Sequence, residues 1–353
     1  VKTVLHPGDV FAGYVIKRVL GRGGMGTVYL ARHPRLPRLT ALKLLKPELY
    51  TDVEIRRRFE READLAAQLD HPNIVTVFDR GAEDRQLWIS MQYVPGADAS
   101  CADVNVLEPG RAVQIISDTA VALDFAHANQ VLHRDVKPAN ILLAKAPIGQ
   151  PERVLLTDFG IAGVRGSDST LSSSGSITAT LAFGAPEQLT GHPLDDRADQ
   201  YSLACTLFWL LTGAAPYPGA HPVAVVNSHL YAPVPLLSQV RPGLPTALDA
   251  VMARAMAKLP ADRFDDCAHF AAAARHALAT GGPQRNGHQP DAPAQGDNAT
   301  AVAAATESTP PPTTSTPPRP RSVPPPSFLP PRRRLRPGTI ELPDLHRRPG
   351  SAP

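Results

Sequence analysis

Apolar and polar positions follow two different rhythms along this chain. Up to about residue 94 the apolar residues fall in short runs bounded by turn residues. Stretches 14–20, 27–32, 40–45, 74–79 and 87–93 have the length and aliphatic, β-branched character of strands. One segment breaks that rhythm: Ile55, Phe59, Ala63, Ala66 and Leu69 recur at helical spacing and predict an amphipathic helix over 54–69. His71-Pro72-Asn73 ends it, because the residue before proline is driven out of the helical region. Beyond Gly96 the helical period dominates. Stretch 112–129 carries Val113, Ile116, Ala120, Leu123 and Ala126 on one face, 201–211 is apolar all round and so belongs in a core, and 247–258 and 266–278 are further helices. A small sheet with one helix, followed by a larger helical half, predicts an α+β, bilobal arrangement with a cleft at the join, where small molecules usually bind.

The rhythm stops at Gly281. Residues 281–353 hold 18 of the 38 prolines and nine arginines against five acids, a net charge of +4 against −1 for the rest of the chain. Such a segment buries too little apolar area to offset its ordering entropy, so it is expected to be a disordered tail with polyproline-II stretches. The overall charge of +3 does not mark a nucleic-acid binder, and the tail has no interleaved aromatics, so no nucleic-acid partner is expected. Cys101, Cys205 and Cys267 are far apart and suit buried, reduced thiols and a cytoplasmic setting. No apolar run reaches the length needed to cross a bilayer, and the first ten residues lack a signal-peptide core, so the chain as given is expected to span no membrane.

Candidate chemistry is concentrated at 133–140, His-Arg-Asp-Val-Lys-Pro-Ala-Asn, with Asp158-Phe159-Gly160 arriving eighteen residues after Asn140. Two carboxylates, an ammonium and an amide at this spacing are what phosphoryl transfer from a metal–nucleotide needs. Asp135 is the candidate base that accepts or aims a hydroxyl, Lys137 the cation for the γ-phosphate, and Asn140 and Asp158 the oxygen ligands for Mg²⁺, with Mn²⁺ as the alternative ion. Gly21-Arg22-Gly23-Gly24-Met25-Gly26-Thr27-Val28 lies between two predicted strands, where backbone N–H groups can cover phosphates; strand–loop–strand order argues against a Rossmann fingerprint. Lys43 sits in the apolar run 40–45. Glu62, 19 residues later at the border of the helix's buried face, is expected to pair with it, because a buried ammonium needs an anionic partner; Glu60 is the competing carboxylate, on another face.

These motifs, together with 59–63 (Phe-Glu-Arg-Glu-Ala), 71–75 (His-Pro-Asn-Ile-Val), 185–189 (Ala-Pro-Glu-Gln-Leu), 196–203 (Asp-Arg-Ala-Asp-Gln-Tyr-Ser-Leu) and 260–264 (Pro-Ala-Asp-Arg-Phe), resemble the eukaryotic-like serine/threonine protein kinases of the actinobacterial receptor type. The resemblance covers 9–280. It implies a β-rich N-lobe over about 9–94 with one regulatory helix, a hinge at 92–97, a mostly helical C-lobe over 98–280, and a juxtamembrane-like tail over 281–353. It implies ATP and magnesium, transfer of the γ-phosphate to Ser/Thr hydroxyls of protein substrates, and a signalling role; a catalytically inactive kinase-fold binding module is the alternative.

By the same resemblance Ala41 belongs to the nucleotide site, Met91 is the gatekeeper, Gln92 to Val94 the hinge that binds adenine, and Asp98 the acid near the ribose. Asp199 braces the catalytic loop, Glu187 and Arg263 form a structural ion pair, and Thr180 bonds the catalytic aspartate and lysine. Ala179 stands where the family usually has Gly and Phe183 where it commonly has Tyr, and the helix that usually follows the hinge is hard to discern in 97–110. The family also suggests homodimers that assist trans-autophosphorylation. Arg332-Arg333-Arg334-Leu335-Arg336 would suit the inner flank of a membrane helix; with none in the sequence as given, a soluble or a truncated form is expected, with at most weak attraction of the cluster to anionic lipid.

Residues 161–178 hold eight hydroxyl side chains; by the same resemblance, counting back from Thr180, Ser172 and Ser174 match the usual autophosphorylation positions and Arg134 is the expected partner of the phosphate. Phosphosite mapping of the ATP-treated protein is expected to find phosphate there; a map with none between residues 165 and 180 contradicts it.

Overall fold

The structure, a computed structural model, describes residues 4–24, 26–145, 152–159 and 181–280. Its N-terminal half is an antiparallel sheet of β1 (Val10–Phe11), β2 (Tyr14–Gly23), β3 (Gly26–Arg32), β4 (Leu39–Leu45), β5 (Val77–Glu83) and β6 (Gln86–Gln92), in the order β1-β2-β3-β4-β6-β5. Between β4 and β5 runs α1 (Val53–Ala67). The Asp52 carboxylate caps it by accepting from the N–H groups of Glu54 and Ile55, and it buries Phe59, Ala63 and Ala66. The N-lobe core is then Leu45, Phe59, Ala63, Val75, Leu87 and Ile89, as the apolar pattern predicts.

The strand expected at 74–79 lies further on, at Val77–Glu83, for two reasons. Asn73 and Val75 are already engaged: Val75 N–H donates to the Leu156 carbonyl at 2.9 Å and Leu156 N–H to that of Asn73 at 2.8 Å, which ties the sheet half to the helical half. Gly81, beyond the expected end, lies against the Trp88 ring of β6, where a Cβ would come within 2.7 Å, so the pairing carries the strand on past it. The glycine hairpin joins β2 and β3 as expected, with Gly23 opposite Gly26. Gly26 is pressed onto β4, where a Cβ would meet the Leu44 carbonyl oxygen at 1.9 Å, whereas Gly21 and Gly23 have open space beside them.

A small second sheet of β7 (Gly96–Asp98), β8 (Ile141–Ala144) and β9 (Arg153–Leu156) starts the helical half. The described helices there are α2 (Pro109–Ala128), α3 (Pro186–Leu189), α4 (Asp196–Thr212), α5 (Pro222–Tyr231), α6 (Leu237–Val240), α7 (Ala247–Ala255) and α8 (Cys267–Thr280). α4 extends the predicted apolar helix by a polar first turn. The Asp195 carboxylate caps its start, and Gly213 ends it in the left-handed conformation. Ile115, Ile116 and Leu123 of α2, Leu207 and Phe208 of α4, and Phe270 and Ala274 of α8 share one core. Cys205 and Cys267 are buried in it; Cys101, expected to be buried, is exposed, because it ends a surface 3₁₀ turn (Ala99–Cys101) rather than a core element. None of the described helices is long and apolar enough to cross a membrane.

Arg263 is 1% exposed and forms two parallel bonds to Glu187, at 2.7 and 2.8 Å, while its Nε donates to the Ala257 carbonyl. Its guanidinium also lies over the Tyr201 ring, 4.8 Å from the centroid. Removing one partner leaves the other charge buried and unpaired. Arg263→Met is therefore expected to cost about 3–5 kcal/mol in urea denaturation, and a loss under about 1 kcal/mol contradicts this.

Candidate active site

The loop after α2 hangs on Asp199, in the first turn of α4 and buried to 1% exposure. Its Oδ2 accepts the His133 N–H and its Oδ1 the Arg134 N–H, both at 2.7 Å, and His127 Nε2 lies 2.9 Å from Oδ2. Burial pushes the Asp199 carboxyl up, but His127 beside it, with the backbone donor, outweighs this and holds it below the ordinary value. His127 is held above its ordinary value in return: burial lowers it, and the Asp199 bond and charge overcome that.

Arg134 has φ +65°, a left-handed conformation unfavourable for a side chain with a Cβ. It is kept there by Asp199 on its N–H and by Gln188, whose amide donates to its carbonyl at 2.7 Å. The His133 ring is fully buried. Its Nδ1 accepts the Asp135 N–H at 3.2 Å, Nε2 meets the Thr157 carbonyl at 2.9 Å, and the ring packs edge-on against Phe159 at 4.7 Å. One histidine thus fixes the loop bearing Asp135 to the segment bearing Asp158.

Asp135, Lys137 and Asn140 converge. Lys137 Nζ donates to both Asp135 oxygens, at 2.9 and 2.7 Å, and Asn140 Nδ2 donates to the Asp135 carbonyl at 2.7 Å and carboxylate at 3.1 Å. Asp158, also left-handed at φ +68°, accepts from Lys43 Nζ of the sheet half at 2.8 Å. Burial would raise the Asp158 carboxyl; the charge and hydrogen bond of Lys43 overcome it and hold it below the ordinary value.

The expected Lys43–Glu62 pair is not formed. The anion beside buried Lys43 is Asp158, and the longer Arg134 side chain reaches Glu62 first, Nη1 to Oε1 at 3.5 Å. Glu62 Oε2 is buried with no hydrogen-bond partner, and burial raises the Glu62 carboxyl, which Arg134 offsets only in part. Arg134, expected to meet a phosphate, here meets a carboxylate.

Beside these charges the sheet presents an apolar wall. Ala41 and Met91 are buried, and half-buried Val28, Val94, Leu20 and Leu142 pack against their cluster. The Gln92 N–H is engaged by the Thr76 carbonyl at 2.8 Å. Asp98 accepts from Ser100 N–H at 3.0 Å and so caps the turn after β7. No α-helix lies between Asp98 and Pro109 among the described residues, in keeping with the irregular reading of that stretch. Met25, Ser172, Ser174, Thr180 and the tail with its arginine cluster lie outside the described residues. His127, the bridging role of His133 and the Gln188 contact were not anticipated; His127, four residues C-terminal to Leu123 on α2, carried the only sequence signal, a polar side chain beside the apolar face.

Comparison with known proteins identifies the family. The model of the protein kinase domain family matches residues 14–263. The serine/threonine-protein kinase PknJ of Mycobacterium bovis is 54% identical over 293 residues, 82% of this chain and 49% of that protein. PknF of Mycobacterium tuberculosis is 50% identical over 286 residues, 79% of this chain and 59% of its own length. The crystal structure of the M. tuberculosis PknI kinase domain, 42% identical, superposes with a TM-score of 0.63, covering 78% of this chain and all (100%) of that one. The chain belongs to the protein kinase family, with the bilobal fold expected. It spans about half the length of the curated relatives it matches.

Because its folded pKa is raised, ionised Glu62 weakens the fold above that pKa, and the deficit disappears as pH falls through it. Glu62→Gln is expected to be at least as stable as the parent near pH 7, with the advantage vanishing toward about pH 4. Urea midpoints across that range check the sign; a Gln variant less stable at neutral pH contradicts it.

Proposed function

We propose that this chain is a Mg²⁺- and ATP-dependent serine/threonine protein kinase that transfers the γ-phosphate to Ser/Thr hydroxyls of proteins and to its own activation segment. The observation that supports the reading is two linked clusters: Lys43 with Asp158 between the halves, and Asp135 with Lys137 and Asn140, joined by His133, which bonds the Asp135 N–H and the carbonyl before Asp158. The inactive-module alternative has no comparable support, since Lys43, Asp135 and Asp158 are all present, Lys43 paired with Asp158 and Asp135 with Lys137.

The residues fit the donor and its ion. Val28, Ala41, Met91, Val94 and Leu142 offer an apolar slot for adenine. The Gln92 N–H is already spent, so recognition of the base edge falls on other hinge groups, Val94 among them. The hairpin of Gly21, Arg22, Gly23, Gly24, Met25 and Gly26 covers the phosphates, and the space beside Gly21 and Gly23 leaves its backbone free to approach them. Asp98 serves the ribose only if it also keeps its cap. Asp158 and Asn140 supply hard oxygen donors suited to magnesium, which when bound neutralises phosphate charge.

Asp135 accepts the hydroxyl proton, or aims the hydroxyl, at Oδ1 or Oδ2. Lys137, already 2.7 Å from that carboxylate, balances charge on the transferred group. Lys43 holds phosphate oxygens, and Thr180 supports Asp135 and Lys137. Arg134 receives the phosphate placed on Ser172 or Ser174, which would compete with Glu62 for the same guanidinium. The catalytic domain is assigned to 9–280, with a homodimer assisting autophosphorylation in trans and the Arg332 to Arg336 cluster touching anionic lipid weakly at the inner membrane face.

Labelled-phosphate incorporation from ATP, into the chain and into a basic protein acceptor, is expected to fall by a factor of about 10²–10⁴ in Asp135→Asn, with the urea midpoint little changed. Equal incorporation by parent and variant would end the enzymatic reading.

A further inference from the structure

At the crossing of α2 and α8, behind the Asp199 clamp, Asp124, His127 and Cys267 each bring a ligand-type atom within 4.8 Å of the others. None of the three takes part in the chemistry above. His127 Nε2 is engaged by Asp199 at 2.9 Å, and Nδ1 lies 4.0 Å from Asp124 Oδ1, too far for a hydrogen bond. A carboxylate on the second ring nitrogen is the arrangement that orients metal-bound histidines, and ligand atoms around a tetrahedral zinc stand roughly 3–4 Å apart. Asp124 is held in place by accepting the Cys267 and Ala268 N–H groups at 3.0 and 2.9 Å, and its carboxylate also hydrogen-bonds the Cys267 thiol, a bond that ends, freeing the oxygen, when the thiol gives up its proton.

A second observation lies beside two of the three, His127 and Cys267. His127 and Cys267 border a narrow void, with no room for a water molecule, that is also lined by Asp196, Arg197, Gln200 and Asp266. Gln200 is fully buried and its Oε1 has no hydrogen-bond partner. The one cation on the void, Arg197, is engaged elsewhere, by Asp265 at 3.5 Å and the Pro260 carbonyl at 3.4 Å. A narrow space beside an orphaned amide oxygen leaves room for a bare ion rather than a hydrated one, and a thiol–imidazole–carboxylate set is soft enough to select zinc over magnesium.

We propose that Asp124, His127 and Cys267 form a zinc site, with Gln200 Oε1 as the candidate fourth donor. Cys267 releases its thiol proton to solvent on binding. The ion ties the first residue of α8 to α2 and shares His127 with the carboxylate that holds the catalytic loop.

The test uses the tag-free full chain carrying Cys101→Ser, which removes the exposed thiol. It is stripped with a chelator and reloaded with Co²⁺ or Zn²⁺. A thiolate-to-cobalt charge-transfer band that zinc displaces is expected, with about one zinc per chain retained through gel filtration. Adding Cys267→Ser should abolish the band and lower retained zinc at least about tenfold. No thiolate band, or the same band in the Cys267→Ser protein, overturns the site. Should that variant fail to fold, X-ray absorption at the zinc edge of the parent decides: one sulfur with nitrogen and oxygen neighbours is expected, and a shell without sulfur overturns it.

Discussion

The buried carboxylate of Asp199 is the point on which the site depends. Stripping a carboxylate of water costs several kcal/mol, and only good donors offset that. Here the donors are two successive backbone N–H groups and a histidine, all at 2.7–2.9 Å. Hydrogen bonds to charged groups contribute about 1.5–3 kcal/mol each, so three of them are comparable with the burial cost. The carboxylate can therefore remain charged inside the helical half only while the loop stays where it is. Fold stability and the position of the loop are thereby the same constraint.

From that anchor the geometry follows outward. Arg134 and Asp158 both adopt left-handed backbones, each costing of order 1–3 kcal/mol. Both are over-determined: Arg134 by Asp199 and Gln188, Asp158 by Lys43 and by the His133 bond to the preceding carbonyl. His133 links the Asp135 N–H to the carbonyl before Asp158, so one side chain ties the two segments. The two halves meet there through the Lys43–Asp158 pair, and behind it through the bonds between Val75, Leu156 and Asn73. Glu62, bound to Arg134 with one oxygen unpartnered, is the group least at rest.

Much of this was legible from residue order. The period change after Gly96, the all-round apolar stretch of α4, and the acid, amide and lysine of 133–140 depend on local spacing, and spacing is what a sequence carries. Boundaries moved where a partner decided them: β5 slid because Trp88 accepts a glycine opposite it, and Cys101 surfaced because a short turn needed a surface. The Lys43–Glu62 pair was the substantive miss. Charge complementarity says that a buried lysine needs an anion but not which of two carboxylates supplies it, and Asp158 and Arg134 together resolved the choice differently. The left-handed residues were invisible, because neither is glycine and the strain comes from contacts many residues away.

Amide hydrogen exchange of Asp199→Asn tests the central claim most directly. An asparagine offers one oxygen where the carboxylate offers two, so one of the two N–H groups of His133 and Arg134 must face an NH₂. At least one of these amides is expected to exchange about tenfold faster or more than in the parent, while amides within α8 keep their protection. Unchanged protection at both His133 and Arg134 would show that the loop is held by something other than this carboxylate.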